Sequence, residues 1–293
     1  MVGFLTRWLY VLAVVGSALA WWLALRWGGS LSATVLGASI ATLALGVWLE
    51  RVRPFEAAWR QPRDDRATDA TSAVLLIGLV DPLLKAALPL GVVAALGHLP
   101  GAEAWPMASW PLGAQVLVAA AWIELAKYLS HRAHHASPLL WPLHALHHGS
   151  ERLYWLNNFR FHPLNHVVNS VLSLLPLAWL GVPAPVLYGA LALTQPVVML
   201  QHLNADLRSG WLNWLFSTNE LHRWHHSDQP AEANANYGSA WVLWDHVFGT
   251  YLRPQGRRRP ARIGLFGSSG RYPAQASYWR QLAAPLRPAC CRA

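Results

Sequence analysis

Cysteine is nearly absent from this chain of 293 residues: only Cys290 and Cys291 occur, side by side at the C-terminus. Sequence neighbours do not close an ordinary disulfide, and neither lies near a histidine, so a thiolate zinc site of the finger type is excluded. Lipidation of the pair is the alternative to an unstructured tail, which is the expectation here. Charge is also scarce, at 13% of residues with only 14 acidic side chains, too little to cover two soluble domains of this length. No Gly-rich nucleotide fingerprint is visible, so a separate reductase is expected. The first apolar stretch lacks a small-residue cleavage site before a polar domain, so it reads as an anchor and not as a signal peptide.

What is abundant is apolar, at 54% of residues, and tryptophan, at 18. Membrane helices need about 20 mostly apolar residues, and four stretches qualify: Leu5 to Leu25, Ser30 to Leu49, Ser72 to Gly97 and Leu112 to Leu129. Tryptophan favours bilayer interfaces, so Trp8, Trp21, Trp22, Trp27 and Trp48 are expected in an aromatic belt. The third span carries Asp81, Pro82, Lys85 and Pro89; it is expected to kink or break, with Asp81 and Lys85, four residues apart, neutralising one another. A fifth apolar stretch, Val167 to His202, is interrupted by Gly181-Val-Pro-Ala-Pro185 and reads as a short helical hairpin that enters and leaves on one side. Basic residues fix the sidedness. Five arginines fall in the Glu50 to Thr71 loop, three between Ser130 and His166, eleven after Asn204, and none in the His98 to Pro111 connection. The net charge of +9 is therefore the signature of topology and of lipid headgroup contact, and nucleic acid is excluded as a partner.

Histidine is concentrated as no structural role requires: six of fourteen lie between His131 and His148. Residues three and four apart share a helix face, which groups His131 with His135, and His144 with His147 and His148. The second pattern returns at His222, His225 and His226, with a lone His202 before it. A single histidine is ordinarily a hydrogen-bonded core or surface residue; three boxes in matched register point to a polynuclear metal site, since neutral imidazole is the commonest protein metal ligand. Imidazole suits zinc, copper, iron and nickel alike. Nine ligands exceed what one zinc takes and suffice for two metals with open positions, and two irons are the expected pair. Glu124 lies two helical turns before His131, where it either accepts a ring N–H or pairs with Lys127 or Arg132; Asn204 and Asp245 are further candidates to orient ligands.

The motifs His131-Arg132-x-x-His135, His144-x-x-His147-His148, Arg160-Phe161-His162-Pro163, Gln201-His202-x-Asn204, His222-x-x-His225-His226, Asn236-Tyr237-Gly238 and Trp244-Asp245-x-x-Phe248-Gly249-Thr250-Tyr251 resemble the fatty acid hydroxylase and sterol desaturase superfamily over roughly Glu124 to Leu252. The resemblance implies an integral-membrane, non-haem di-iron oxygenase with histidine-only ligation, which hydroxylates or desaturates a lipid using O2 and two electrons. His134, His166 and His246 are extra to its boxes. His162 belongs to a motif, and the sequence leaves open whether it ligates metal or hydrogen-bonds locally.

The expected protein is all-α and polytopic, with about four spans, the hairpin, and a cytoplasmic helical cap carrying the boxes. Residues 1–130 form the spans with the basic loop near 50–71, residues 131–253 the catalytic region including hairpin 167–202, and residues 254–293 a basic cytoplasmic tail, solvated or lying on headgroups, with a short amphipathic helix near Tyr278 to Leu282. In a bacterium the membrane would be the inner one. A lipid substrate would enter from the bilayer, and the arginine-rich surface would dock an acidic electron donor such as a ferredoxin or cytochrome. The competing readings are a membrane zinc hydrolase or metal transporter, which would want ionisable residues deep in several spans, and a bis-histidine haem carrier, which doubled His-His pairs fit poorly. Oligomeric state leaves no trace in the sequence.

Overall fold

A computed structural model describes residues 2–254 and 259–286; Cys290, Cys291, Arg257 and Arg258 lie outside the described residues. Four helices are long and apolar enough to cross a membrane: α1 (Val2–Trp27), α2 (Leu31–Val52), the continuous run Arg66–Leu96, and α5 (Leu112–Ala136). Their outward faces carry exposed Leu12, Val15, Leu19, Ile40, Leu83 and Leu90, surface that only lipid can solvate. Two shorter apolar helices, α7 (Pro163–Trp179) and α8 (Ala184–Leu200), follow one another through a short turn, but they are not the tight hairpin expected, because α5 packs against both and they do not pack on each other. The turn needs Gly181, which has φ of +68° and would bring any Cβ to 2.4 Å from the Gly101 carbonyl oxygen. Helix α8 packs against α1, α2 and α5; α5 packs in turn on α7, and α7 on α4 (Asp81–Leu96). The chain is a multi-pass membrane protein.

The third span is one continuous helix with a π-helical turn inside it. Helix α3 (Arg66–Leu75) passes into α4 through a π-helical turn, Leu76–Val80, in which the Asp81 N–H reaches back five residues to Leu76 O. Pro82 has no N–H to keep the α-helical ladder, and the wider turn absorbs the defect. Asp81 does not neutralise Lys85; its Oδ1 accepts from His166 Nε2 at 2.5 Å, joining α4 to α7. Within the expected belt Trp21 is the partly buried member. Its indole N–H donates to Pro185 O at 3.2 Å, at the start of α8, whereas Trp8, Trp22, Trp27 and Trp48 are exposed.

A cap of short helices covers the boxes: α6 (Trp141–His148), α9 (Asn219–His225), α10 (Pro230–Ala233), α11 (Leu243–Val247) and α12 (Tyr278–Leu282). Where described, residues after 259 are not a solvated tail. Phe266, Tyr272, Tyr278 and Ala284 form one buried cluster with Trp141, Ala145, Leu146 and Ala233, and the Trp141 indole donates to Ser269 Oγ at 2.8 Å. Alternating Arg and Pro masked a strap whose apolar residues are spaced too irregularly to show a period. Nor are all the cap arginines surface charges. Arg152 grips Asp65 through Nε and Nη2 at 2.5 and 2.9 Å, and Arg160 Nη1 meets Asp69 at 2.6 Å, every side chain under 10% exposed. These pairs bolt the cap to the start of α3.

Candidate metal centre

Nine imidazoles converge where α5 leaves the membrane. His131 and His135 come from the last turns of α5; His144, His147 and His148 from α6; His202 from the turn after α8; His222, His225 and His226 from α9 and its C-cap. Pro142 starts α6 and Thr218 caps α9, its side chain accepting the Glu220 N–H, so each box sits on a short helix with a defined start. The ring nitrogens form two groups, each with its ligand atoms within 4.8 Å of one another: His131, His135, His144, His148 and His225 in one, His147, His202, His222 and His226 in the other. Consecutive residues on a helix point about 100° apart. That is why the doublets exist: His148 and His225 face the first cage, while their neighbours His147 and His226 face the second. The cages abut, with the His148 and His226 rings stacked at 4.5 Å.

Hydrogen bonding on the outer side settles the tautomers. Nδ1 of His131, His147 and His225 faces the carbonyl oxygens of Tyr237, Arg160 and Ala235 at 2.9, 3.1 and 2.9 Å, and a carbonyl only accepts. Nδ1 of His135, His144 and His202 faces the side-chain oxygens of Asn234, Asn165 and Asn158 at 3.1, 2.8 and 2.7 Å. The three carbonyls, and Asn158 oriented by its own bond to Met199 O, put the proton on Nδ1 of His131, His147, His225 and His202, and the placed amide oxygens favour the same in His135 and His144, leaving the inward Nε2 as a bare lone pair. Yet Nε2 atoms lie 3.0 Å apart between His131 and His144, and 3.2 Å apart between His147 and His202. Two lone pairs at that distance repel unless a cation lies between them, so the donor set fits metal ions. Burial first, then neighbouring histidines, holds His144, His147, His148, His222 and His226 well below the ordinary imidazole range, and burial brings His202 to about 3 and His225 to about 4. These shifts favour the neutral rings that ligation requires.

The other candidates stand outside the cages. Glu124 receives no ring N–H; its Oε2 accepts the backbone N–H groups of Ala240 and Trp241 at 2.6 and 2.9 Å. Asp245 accepts from the N–H groups of Tyr237 and Gly238, both at 2.8 Å, and from Thr250 Oγ1 at 2.7 Å. Both carboxylates therefore hold the 237–241 segment, whose Tyr237 carbonyl orients His131. Burial raises Asp245 to about 6 against those donors. Within the segment Asn236 adopts φ of +55° and pairs both ways with Leu252, while a Cβ on Gly238 would lie 2.3 Å from Trp241 O. Asn204 Oδ1 and Nδ2 each bond Glu56 backbone at 2.9 Å, pinning the chain beyond His202 to the loop that follows α2. His162 Nδ1 accepts the Leu164 N–H and its Nε2 faces Leu282 O, so both its nitrogens are engaged away from the cages. His134 bonds Ser130 O, and His246 stacks on Trp214.

Sequence reasoning missed the asparagines, and it missed two aromatic walls. Phe161 stacks on His147 at 4.2 Å and 12°, and Tyr237 stands edge-on to His131, His135 and His225. Each was visible as a motif member; nothing in its spacing announced its partner.

Residues 116–250 match the fatty acid hydroxylase family. The ornithine lipid hydroxylase OlsE of Rhizobium tropici is 34% identical over 253 residues, covering 84% of this chain and 74% of that protein. The chain belongs to the fatty acid hydroxylase family. Other relatives are the alkylglycerol monooxygenases of Caenorhabditis elegans, 26% identical over 124 residues, and of Homo sapiens, 27% over 129. Those matches cover 42% and 44% of this chain but only 24% and 28% of the monooxygenases. No solved structure matches the chain. This member of the fatty acid hydroxylase family thus carries, within the matched residues, every histidine of both cages.

Proposed function

We propose that this protein is a membrane-bound, non-haem di-iron oxygenase that hydroxylates a C–H bond of a membrane lipid, using O2 and two electrons from an external donor such as a ferredoxin or cytochrome with its reductase. The observation that carries the reading is the pair of abutting histidine-only cages with inward lone pairs. His131, His135, His144, His148 and His225 would hold one iron, and His147, His202, His222 and His226 the other. Iron so bound supplies the redox chemistry with O2 that side chains cannot. The protein supplies position: carbonyls and asparagine oxygens fix each ring, Glu124 and Asp245 fix the segment that fixes His131, and Phe161 and Tyr237 keep water from the cage walls. With five ligands against four, the two sites are not equivalent.

Hydroxylation is favoured over desaturation because the named relatives are hydroxylases or monooxygenases, and an ornithine-type lipid is the first substrate to test. The arginine distribution supports cages on the cytoplasmic side. Metal analysis of detergent-purified protein beside the His147→Ala, His225→Ala double variant tests the proposal. About two irons per chain, lost in the variant, together with lipid products one oxygen heavier, are expected. Zinc unchanged by the substitutions would sink it in favour of a hydrolase or transporter.

A further inference from the structure

Away from the cages, a cavity of about 400 Å³ opens where α1 begins and α2 ends. Three arginines from three distant parts of the chain line it: Arg7 from α1, Arg53 at the end of α2, and Arg208 beyond His202. One acidic group answers them. Asp206 lies 3.8 Å from Arg53 and 3.4 Å from Arg208, and Arg7 makes no ion pair among the described residues. Three cations against one anion leave two positive charges facing a common space.

We infer that this cavity holds the phosphate of an anionic membrane phospholipid. Guanidinium groups match phosphate oxygens in pairs, which suits Arg over Lys here. Placement selects a lipid over a soluble anion: the cavity lies at the ends of two membrane-spanning helices, and Phe4 and Trp8, both exposed with centroids 6.5 Å apart, flank the arginines on the side that acyl chains would occupy. The bound headgroup would brace the loop behind a metal ligand. Asp206 N–H donates to Arg53 O at 3.0 Å and Arg208 N–H to Thr6 O at 2.8 Å, so the chain that leaves His202 is laced to the ends of both helices beside the cavity. The lipid is structural, and the site does not depend on the metal chemistry proposed above.

The test uses the full chain in nanodiscs of phosphatidylcholine with and without phosphatidylglycerol, read by native mass spectrometry and by melting temperature. Phosphatidylglycerol is expected to stay bound and raise the melting temperature, phosphatidylcholine to do neither, and sodium phosphate to leave the bound lipid in place. Arg7→Gln and Arg53→Gln should each weaken phosphatidylglycerol binding about fivefold, and Arg7→Lys by less. Because Arg7 bonds no acidic side chain, its loss should not disturb the fold. Equal retention of both lipids, or unchanged binding in both glutamine variants, would overturn the inference. Displacement by sodium phosphate would overturn the lipid assignment and leave a soluble anion as the ligand.

Discussion

A ring that ligates metal through Nε2 depends on what its Nδ1 touches, so the asparagines and carbonyls around the cages are as consequential as the histidines. Asn165→Ala should remove the acceptor for His144 while leaving the ligand itself, and iron affinity should fall by about 10- to 100-fold, read by competition with a chelator. Glu124→Ala strands two backbone N–H groups in a buried segment; a loss of about 1–3 kcal/mol for each is expected, seen as a lowered melting temperature together with reduced activity, because the Tyr237 carbonyl moves with that segment. The ligand histidines themselves were legible, since box spacing is helix geometry written in sequence. Their orienting partners were not: a backbone carbonyl has no letter, and Asn158, Asn165 and Asn234 are ordinary polar residues until the fold brings them to a ring. Glu124 shows the same limit from the other side, for its helical phase pointed correctly inward but could not reveal that backbone N–H groups, and not a ring, would meet it.

At the scale of elements, hydropathy located the spans and the two short apolar helices, though not their separation by α5, because lipid imposes one simple demand on length and polarity. It failed at the strap after residue 259, where packing against Trp141 follows no period. Phe266 stacks on Trp141 at 4.9 Å and 5°, and Phe266→Ala should cost about 3–5 kcal/mol, lowering the melting temperature and loosening the cap; a solvated tail would lose nothing. The cap's hold on α3 has a pH limit. Burial opposes the charge on Asp65, but the hydrogen bonds and charge of Arg152 outweigh it and hold this carboxyl below its ordinary 3.8. A carboxyl depressed on folding stabilises the fold fully above its unfolded value and stops doing so as pH falls through the folded one. The cap should therefore loosen below about pH 4, and Asp65→Asn should weaken it at neutral pH while flattening that acid dependence, as hydrogen exchange in residues 150–160 would report.

For the whole molecule, the arginine count predicts sidedness even though two counted residues are buried in ion pairs, because Arg152 and Arg160 pair with Asp65 and Asp69 on the same face. In a variant lacking Cys290 and Cys291, a cysteine at His98 should react with an impermeant maleimide on intact cells, and one at Glu151 only after permeabilisation; the reverse would invert the topology. The cages also draw together the end of α5, the turn after α8 and two cap helices, across residues 131 to 226. Their inward lone pairs push apart in the absence of cations and pull together around them. Were the cages to hold the proposed irons, the centre would be a clasp as well as a reaction site, and the firmness of the cap would follow how much metal the cell can deliver.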